Sequence, residues 1–350
     1  MGMMTLQTMR QSRSMGRWGR RVACAMGVSC KGALLGTLAG GIAHADQPVS
    51  GSGRVMVAAP LAPSIEPTAP SPTRPPASVG ANLRTVFVED MTWTEVRDAL
   101  AAGVAGALLY AGSTEQNGPH LAIGKHTFIA RRVAEAVART LGNVLVYPIM
   151  PFAPTGDPAV RSGHMRFPGS VSLSAQTYAL VMAELAASAH AAGFTRLYLM
   201  GDHGGGEAVL ARLAIELDRA WAPGGVRVLH VSALLARGEE RGRAWLAARG
   251  EASGEHAGLP DTAMLMAIDP AGQWVHANRF AEADAATGVD GDPRGASPAL
   301  GQVLLQFRVE AAVEQIRVFE AGLRPGPASR PEPAAASVPA PTRGQGQDSP

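Results

Sequence analysis

Between residues 85 and 325, short apolar runs alternate with longer stretches of mixed polarity. "GALLYAG" (106–112), "VLVYPIM" (144–150), "RLYLMG" (196–201) and "VRVLHVS" (226–232) are mostly apolar on both faces of an extended chain, which predicts buried strands. Between them the period changes. Ile129, Val133, Val137 and Leu141 recur every four residues, the spacing of one helix face, so a helix is predicted from His126 to Leu141. "SAQTYALVMAELAASAHAAG" opens on Ser174, a capping residue, and closes at Gly193, as a helix should. Helical stretches follow each strand. This alternation predicts an α/β domain of three layers, a mostly parallel sheet with helices on both faces. No internal repeat is visible.

The pattern fails at both ends of the chain. Residues 46–82 carry runs such as "APLAPSIEPTAPSPTRPP", and residues 326–350 are of the same kind. Such Pro/Ala/Ser-rich material lacks the apolar density for a core and is expected to be an extended linker and a disordered tail. The domain is therefore expected over 83–325, roughly 240 residues, enough for one large fold.

Residues 1–45 form a third kind of segment. They hold Arg10, Arg13, Arg17, Arg20 and Arg21 and no acid, then a mildly apolar run from Val22 to Ala43. Ala43-His44-Ala45 has the small-x-small form of a signal-peptidase site. An export signal is expected, with Arg20-Arg21 suggesting the twin-arginine route and a periplasmic or secreted product. Lys31 and five glycines interrupt the apolar run, which argues against a permanent membrane span.

Charge changes the picture only slightly. The chain has 31 basic and 29 acidic residues, net +2. Six of the basic residues lie in 1–45, leaving 25 against 29, or −4. With no basic patch interleaved with aromatics, nucleic-acid binding is not expected. Both cysteines, Cys24 and Cys30, also lie in 1–45, so a processed chain would have no thiol for a disulfide, a zinc–thiolate site or a nucleophile.

Candidate chemistry collects after the strands, where open parallel sheets bind ligands. Glu115, Asn117, His120 and His126 follow the first predicted strand, and His164 follows the second. Asp202, His203 and Glu207 follow the third, while Glu255, His256 and Asp261 come after the fourth and its helix. Each piece alone reads as easily as a polar turn. The Gly-rich "GDHGGGE" is no phosphate loop, since the Lys-Ser/Thr ending is missing. No G-x-S-x-G elbow points to a serine hydrolase.

Taken together these stretches resemble the creatininase family. "GSTEQNGPHLAIGKHT" (112–127) is similar to the family's Gly-Ser-Thr-Glu-Gln-His-Gly-Pro-His-Leu-Pro-Leu-Gly-Thr-Asp-Thr. "HMRFPGS" (164–170) resembles its His-Met-Gly-Phe-Pro-Gly-Thr, and "MGDHGGG" and "HAGLPDTA" match its third and fourth motifs more loosely. The resemblance implies a metal-dependent amidohydrolase, often a homo-oligomer, with two divalent metals at the strand ends. Its substrate would be a small-molecule or small-peptide amide. It implies Glu115, His126, His203 and Asp261 as metal ligands, His256 and Glu255 as proton-handling catalytic residues, and Asn117 and His164 at the substrate pocket. Zinc or manganese is expected, with iron a further option.

Three positions depart from the family pattern. Asn117 stands in place of a ligand His, His126 in place of a ligand Asp, and Asp261 in place of a Glu. An amide oxygen is a poor ligand for a borderline metal. One metal site is therefore expected, with the second in doubt. The alternative is a catalytically impaired relative that binds a small ligand without turnover.

Overall fold

The computed structural model describes residues 83–323. The predicted leader, the linker and the tail lie outside these residues. Four strands form one parallel sheet: β1 (Gly106–Ala111), β2 (Val144–Val146), β3 (Arg196–Gly201) and β4 (Arg227–His230), in the order β2-β1-β3-β4. β1 is in the middle, so the loop leaving it emerges between neighbours.

Among the described residues, seven α-helices accompany them: α1 (Trp93–Ala101), α2 (Lys125–Leu141), α3 (Ala175–Ala192), α4 (Gly204–Trp221), α5 (Ala233–Ala247), α6 (Leu259–Ile268) and α7 (Pro298–Gly322). The alternation of strand side chains sorts them into two layers. Ala107, Leu109, Leu145, Leu197 and Leu199 face one core, built with α1, α3 and α4. Leu108, Tyr110, Val144, Tyr198 and Met200 face the other, built with α2, α5, α6 and α7. The three-layer α/β expectation is met, and the apolar run on both strand faces is its cause.

Helix ends follow local chemistry. Ser174 caps α3 by accepting from the Thr177 N–H, and Gly193 ends it in a left-handed conformation. α2 begins at Lys125, with the apolar stripe Ile129, Val133 and Val137 fully buried. "VLVYPIM" forms a strand only over its first three residues, because Pro148 has no N–H for a ladder. The segment still bridges the sheet at Met150, opposite Ala111.

Candidate metal centre and cleft

Glu115 sits in the loop that leaves β1 and is fully buried. Its backbone is pinned by an N–H donated to the Ile123 carbonyl. The turn beyond it needs Gly118, whose φ of 66° favours glycine and whose position leaves no room for a Cβ beside Val289. This loop returns into α2 and brings His126 back to Glu115.

The histidines gather on the carboxylate. His126 Nε2 is 3.0 Å from Glu115 Oε1, and His203 Nε2 is 2.9 Å from Oε2. His164 Nε2 and His256 Nδ1 stand 3.7 and 3.9 Å from Oε1. Glu115, His164 and His203 place ligand atoms within 4.8 Å of one another. Burial raises the Glu115 pKa, but the hydrogen bond from His126, the close His203 nitrogen and the charges of both rings outweigh it and hold the carboxyl well below its usual range.

A metal is tested against this set by its unsatisfied atoms. Glu115 Oε2 is buried and has no hydrogen-bond partner, since the nearby His203 nitrogen is not aligned for one. A buried carboxylate oxygen without a donor is costly, and a cation would satisfy it. One carboxylate ringed by imidazoles also has the donor chemistry of zinc or manganese sites. The residues present fit one divalent ion.

Behind the centre lies a buried ionic chain. His126 Nδ1 meets Asp202 Oδ2 at 2.9 Å, so a carboxylate orients this imidazole from the far side. Both its ring nitrogens face carboxylates, which only accept, so both carry protons in this arrangement. Burial and the Lys125 charge push the His126 pKa down, and the bonds to Asp202 and Glu115 raise it above normal on balance. Asp202 Oδ1 accepts from Tyr110 and from Arg308, each at 3.0 Å, and Arg308 reaches on to Glu239 at 3.0 Å.

The other expected site residues fall in different places. His256 is half-buried, its Nε2 2.9 Å from the Gln116 backbone carbonyl and 3.1 Å from the Gln116 side-chain nitrogen; with the shorter contact to the carbonyl, which only accepts, Nε2 is the donor. Its Nδ1 then carries the lone pair and faces the centre. Burial first, then the Lys125 charge, push its pKa down to about 4, so the ring is neutral at pH 7. His164 Nδ1 accepts from the Gln116 side chain at 3.1 Å. Glu255 is exposed on the wall of the cleft.

Asn117 is buried with its amide nitrogen donating to the Glu115 and Ala122 carbonyls, so it braces the loop from behind. Asp261 is bound to Lys125, and the Ala257 N–H donates to the same oxygen at 2.9 Å. Desolvation raises its pKa, but Lys125 and nearby histidine charges lower it far more. His120 is fully buried, its Nε2 3.0 Å from the Ala257 carbonyl and 3.1 Å from Thr262 Oγ1, so it joins the loop to α6.

Sequence reasoning passed over Lys125, Gln116 and Arg308. Lys125 is the residue before an expected ligand, yet nothing local distinguishes it from a solvated lysine. Arg308 lies in the middle of α7, more than a hundred residues from Asp202.

A cleft of about 460 Å³ opens over the centre, floored by Glu115, His126, His203, His256 and Asp261. A second, of about 710 Å³, reaches His256 from the side of Gln116 and His164. The centre is thus open to a ligand while Asp202, Lys125 and Arg308 behind it are buried.

Comparison with known proteins agrees with this architecture. The creatininase family model (creatinine amidohydrolase) matches residues 89–316, and the chain belongs to that family. The mycofactocin precursor peptide peptidase of Mycobacterium tuberculosis (strain ATCC 25618 / H37Rv) is 30% identical over 229 residues, 59% of this chain and 82% of that protein. The creatinine amidohydrolase of Pseudomonas putida is 29% identical over 120 residues, 34% of this chain and 45% of that protein. A crystal structure of creatinine amidohydrolase (creatininase) shares the fold at a TM-score of 0.57 and 23% identity, covering 68% of this chain and 98% of that one. Two further creatininase structures at the same TM-score of 0.57 are described as a manganese form and a Zn–Zn form of a mutant.

Proposed function

We propose that this chain is an exported metal-dependent amidohydrolase that cleaves the C–N bond of a small amide or short peptide. The observation that carries the reading is Glu115: a sealed carboxylate with an unsatisfied oxygen, ringed by imidazole nitrogens at the floor of an open cleft. The peptidase and creatinine amidohydrolase relatives support the reaction class. The manganese and Zn–Zn forms of the structural relatives support the metal class.

Glu115 and His203, with His126 or His164, would hold the ion. Bound there, a divalent ion would polarise the substrate carbonyl and acidify the attacking water. His256 is neutral, with the Nδ1 lone pair turned toward the centre. It accepts the proton of the attacking water and then delivers it to the leaving nitrogen as the C–N bond breaks. Gln116 holds both His164 and His256 in place, since its backbone carbonyl accepts a hydrogen bond from His256 Nε2 and its side-chain amide donates to His164. Glu255, on the cleft wall, lies beside this path.

The test is metal content and turnover on the purified full-length chain. Close to one equivalent of zinc or manganese is expected, with hydrolysis of at least one amide in a panel of cyclic amides, formamides and short peptides. Less than a tenth of an equivalent after reconstitution would sink the reading. Full metal loading without turnover would favour the non-catalytic alternative, to which Asn117, turned onto backbone carbonyls, lends its one specific support. Export is tested by finding a processed N-terminus in a periplasmic or culture fraction. Assembly as a homo-oligomer is tested by light scattering.

A further inference from the structure

Three carboxylates stand around the centre, Glu115 and Asp202 buried and Asp261 partly so, and two of them already have a fixed cation. Asp202 is held by Arg308 at 3.0 Å, and Asp261 by Lys125. Arg308 is 5% exposed and Lys125 is 0% exposed, so neither charge is shared with solvent. Only Glu115 meets no permanent cation, its partners being histidines. Of the cleft's other acids, Glu239 meets Arg308, whereas Glu207 has His230 Nε2 at 3.2 Å from one oxygen and leaves its buried Oε1 without a partner. Glu255 is exposed.

Lys125 is an unusual choice for a purely structural residue. It is the first residue of α2, where the helix dipole is positive and disfavours a cation. A sealed ammonium is costly without a partner, so the position depends on Asp261. The same Asp261 oxygen also accepts the Ala257 N–H. Its carboxylate is therefore committed on its inner side although it lines the cleft.

We propose that Lys125 is a built-in cation that limits the centre to one divalent ion per chain, by keeping the Asp261 carboxylate out of coordination. The inference rests on the metal-dependent reading above. An ion at Glu115 faces one uncompensated carboxylate. A second would bring two more positive charges beside an ammonium that repels it, and neither acid left without a cation, Glu207 or Glu255, belongs to the compact trio of Glu115, His164 and His203. The Zn–Zn form among the structural relatives shows that this fold can take two metals, so the limit lies in this chain's own residues.

The experiment is equilibrium metal binding by the chelator-stripped full-length chain, with manganese and zinc as separate probes, read by elemental analysis and calorimetry. The native chain is expected to saturate at one equivalent. Lys125→Met is expected to take up a second, and Lys125→Arg to stay at one. Where Lys125→Met does not fold, the pair Lys125→Met/Asp261→Asn removes both charges together. That pair is expected to bind one ion with affinity within threefold of the native chain. Two equivalents in the native chain, one equivalent in folded Lys125→Met, or loss of the ion in the double variant would each overturn the proposal. No binding at all by the native chain would instead overturn the metal-dependent reading, so the two failures are distinct.

Discussion

His126 and Asp202 meet at 2.9 Å through Nδ1 and Oδ2, while the opposite nitrogen of the same ring faces Glu115. A residue in the strand-end loop after β3 thereby sets the direction of an imidazole at the start of α2. Groups that orient a metal-binding histidine this way usually matter about 10–100-fold in metal affinity. Asp202→Asn is accordingly expected to weaken zinc or manganese binding by roughly that factor, measured by competition with a chelating dye. Unchanged affinity would place His126 outside the coordination shell.

Glu115→Gln removes the only carboxylate of the compact trio. Metal binding should fall below detection by calorimetry, and any amidase activity should go with it. The chain should still fold, because a neutral amide at this buried position no longer needs a counter-charge.

Arg308 joins α7 to both Asp202 and Glu239 from a sealed position. Replacing it with Met strands the Asp202 carboxylate. Breaking a buried pair by removing one partner costs roughly 3–5 kcal/mol, and that loss is expected in denaturant unfolding.

At the crossing of α6 and α7, Gly301 lies so close to the Ala263 carbonyl that an added Cβ would overlap it. Gly301→Ala should force the helices apart and destabilise the chain by about 1–3 kcal/mol, despite alanine's better helix propensity. A rise in melting temperature would refute that packing.

The Asp218–Arg227 pair ties the end of α4 to the edge strand β4, with bonds of 2.8 and 3.0 Å. Burial raises the Asp218 pKa, but the hydrogen bonds from Arg227 and the Val228 N–H and the guanidinium charge lower it on balance. A carboxylate with a depressed folded-state pKa adds stability above its unfolded pKa, and that stability fades as pH falls through the folded one. The melting-temperature gap between the native chain and Asp218→Asn should thus be full at pH 6 and shrink below about pH 4.

The creatininase-like architecture was legible in the chain because its signals are local. Apolar strands, the four-residue stripe of α2 and the Ser174 cap each depend on neighbours in sequence. The gathering of Glu115, His126, His203 and His256 was also legible, since loops after parallel strands share one edge of a sheet. What each side chain does there was not. Asp261 and Lys125 are 136 residues apart, and only the packing of α6 against α2 turns a candidate ligand into half of an ion pair. Asn117 could be read as a pocket residue until the loop turned its amide onto backbone carbonyls. The sequence by itself determined which residues reach the centre, because chain direction and hydrophobic period are encoded residue by residue. Tertiary structure alone decided which of their charges are already answered, because partners for buried charges come from segments that meet only when the core closes.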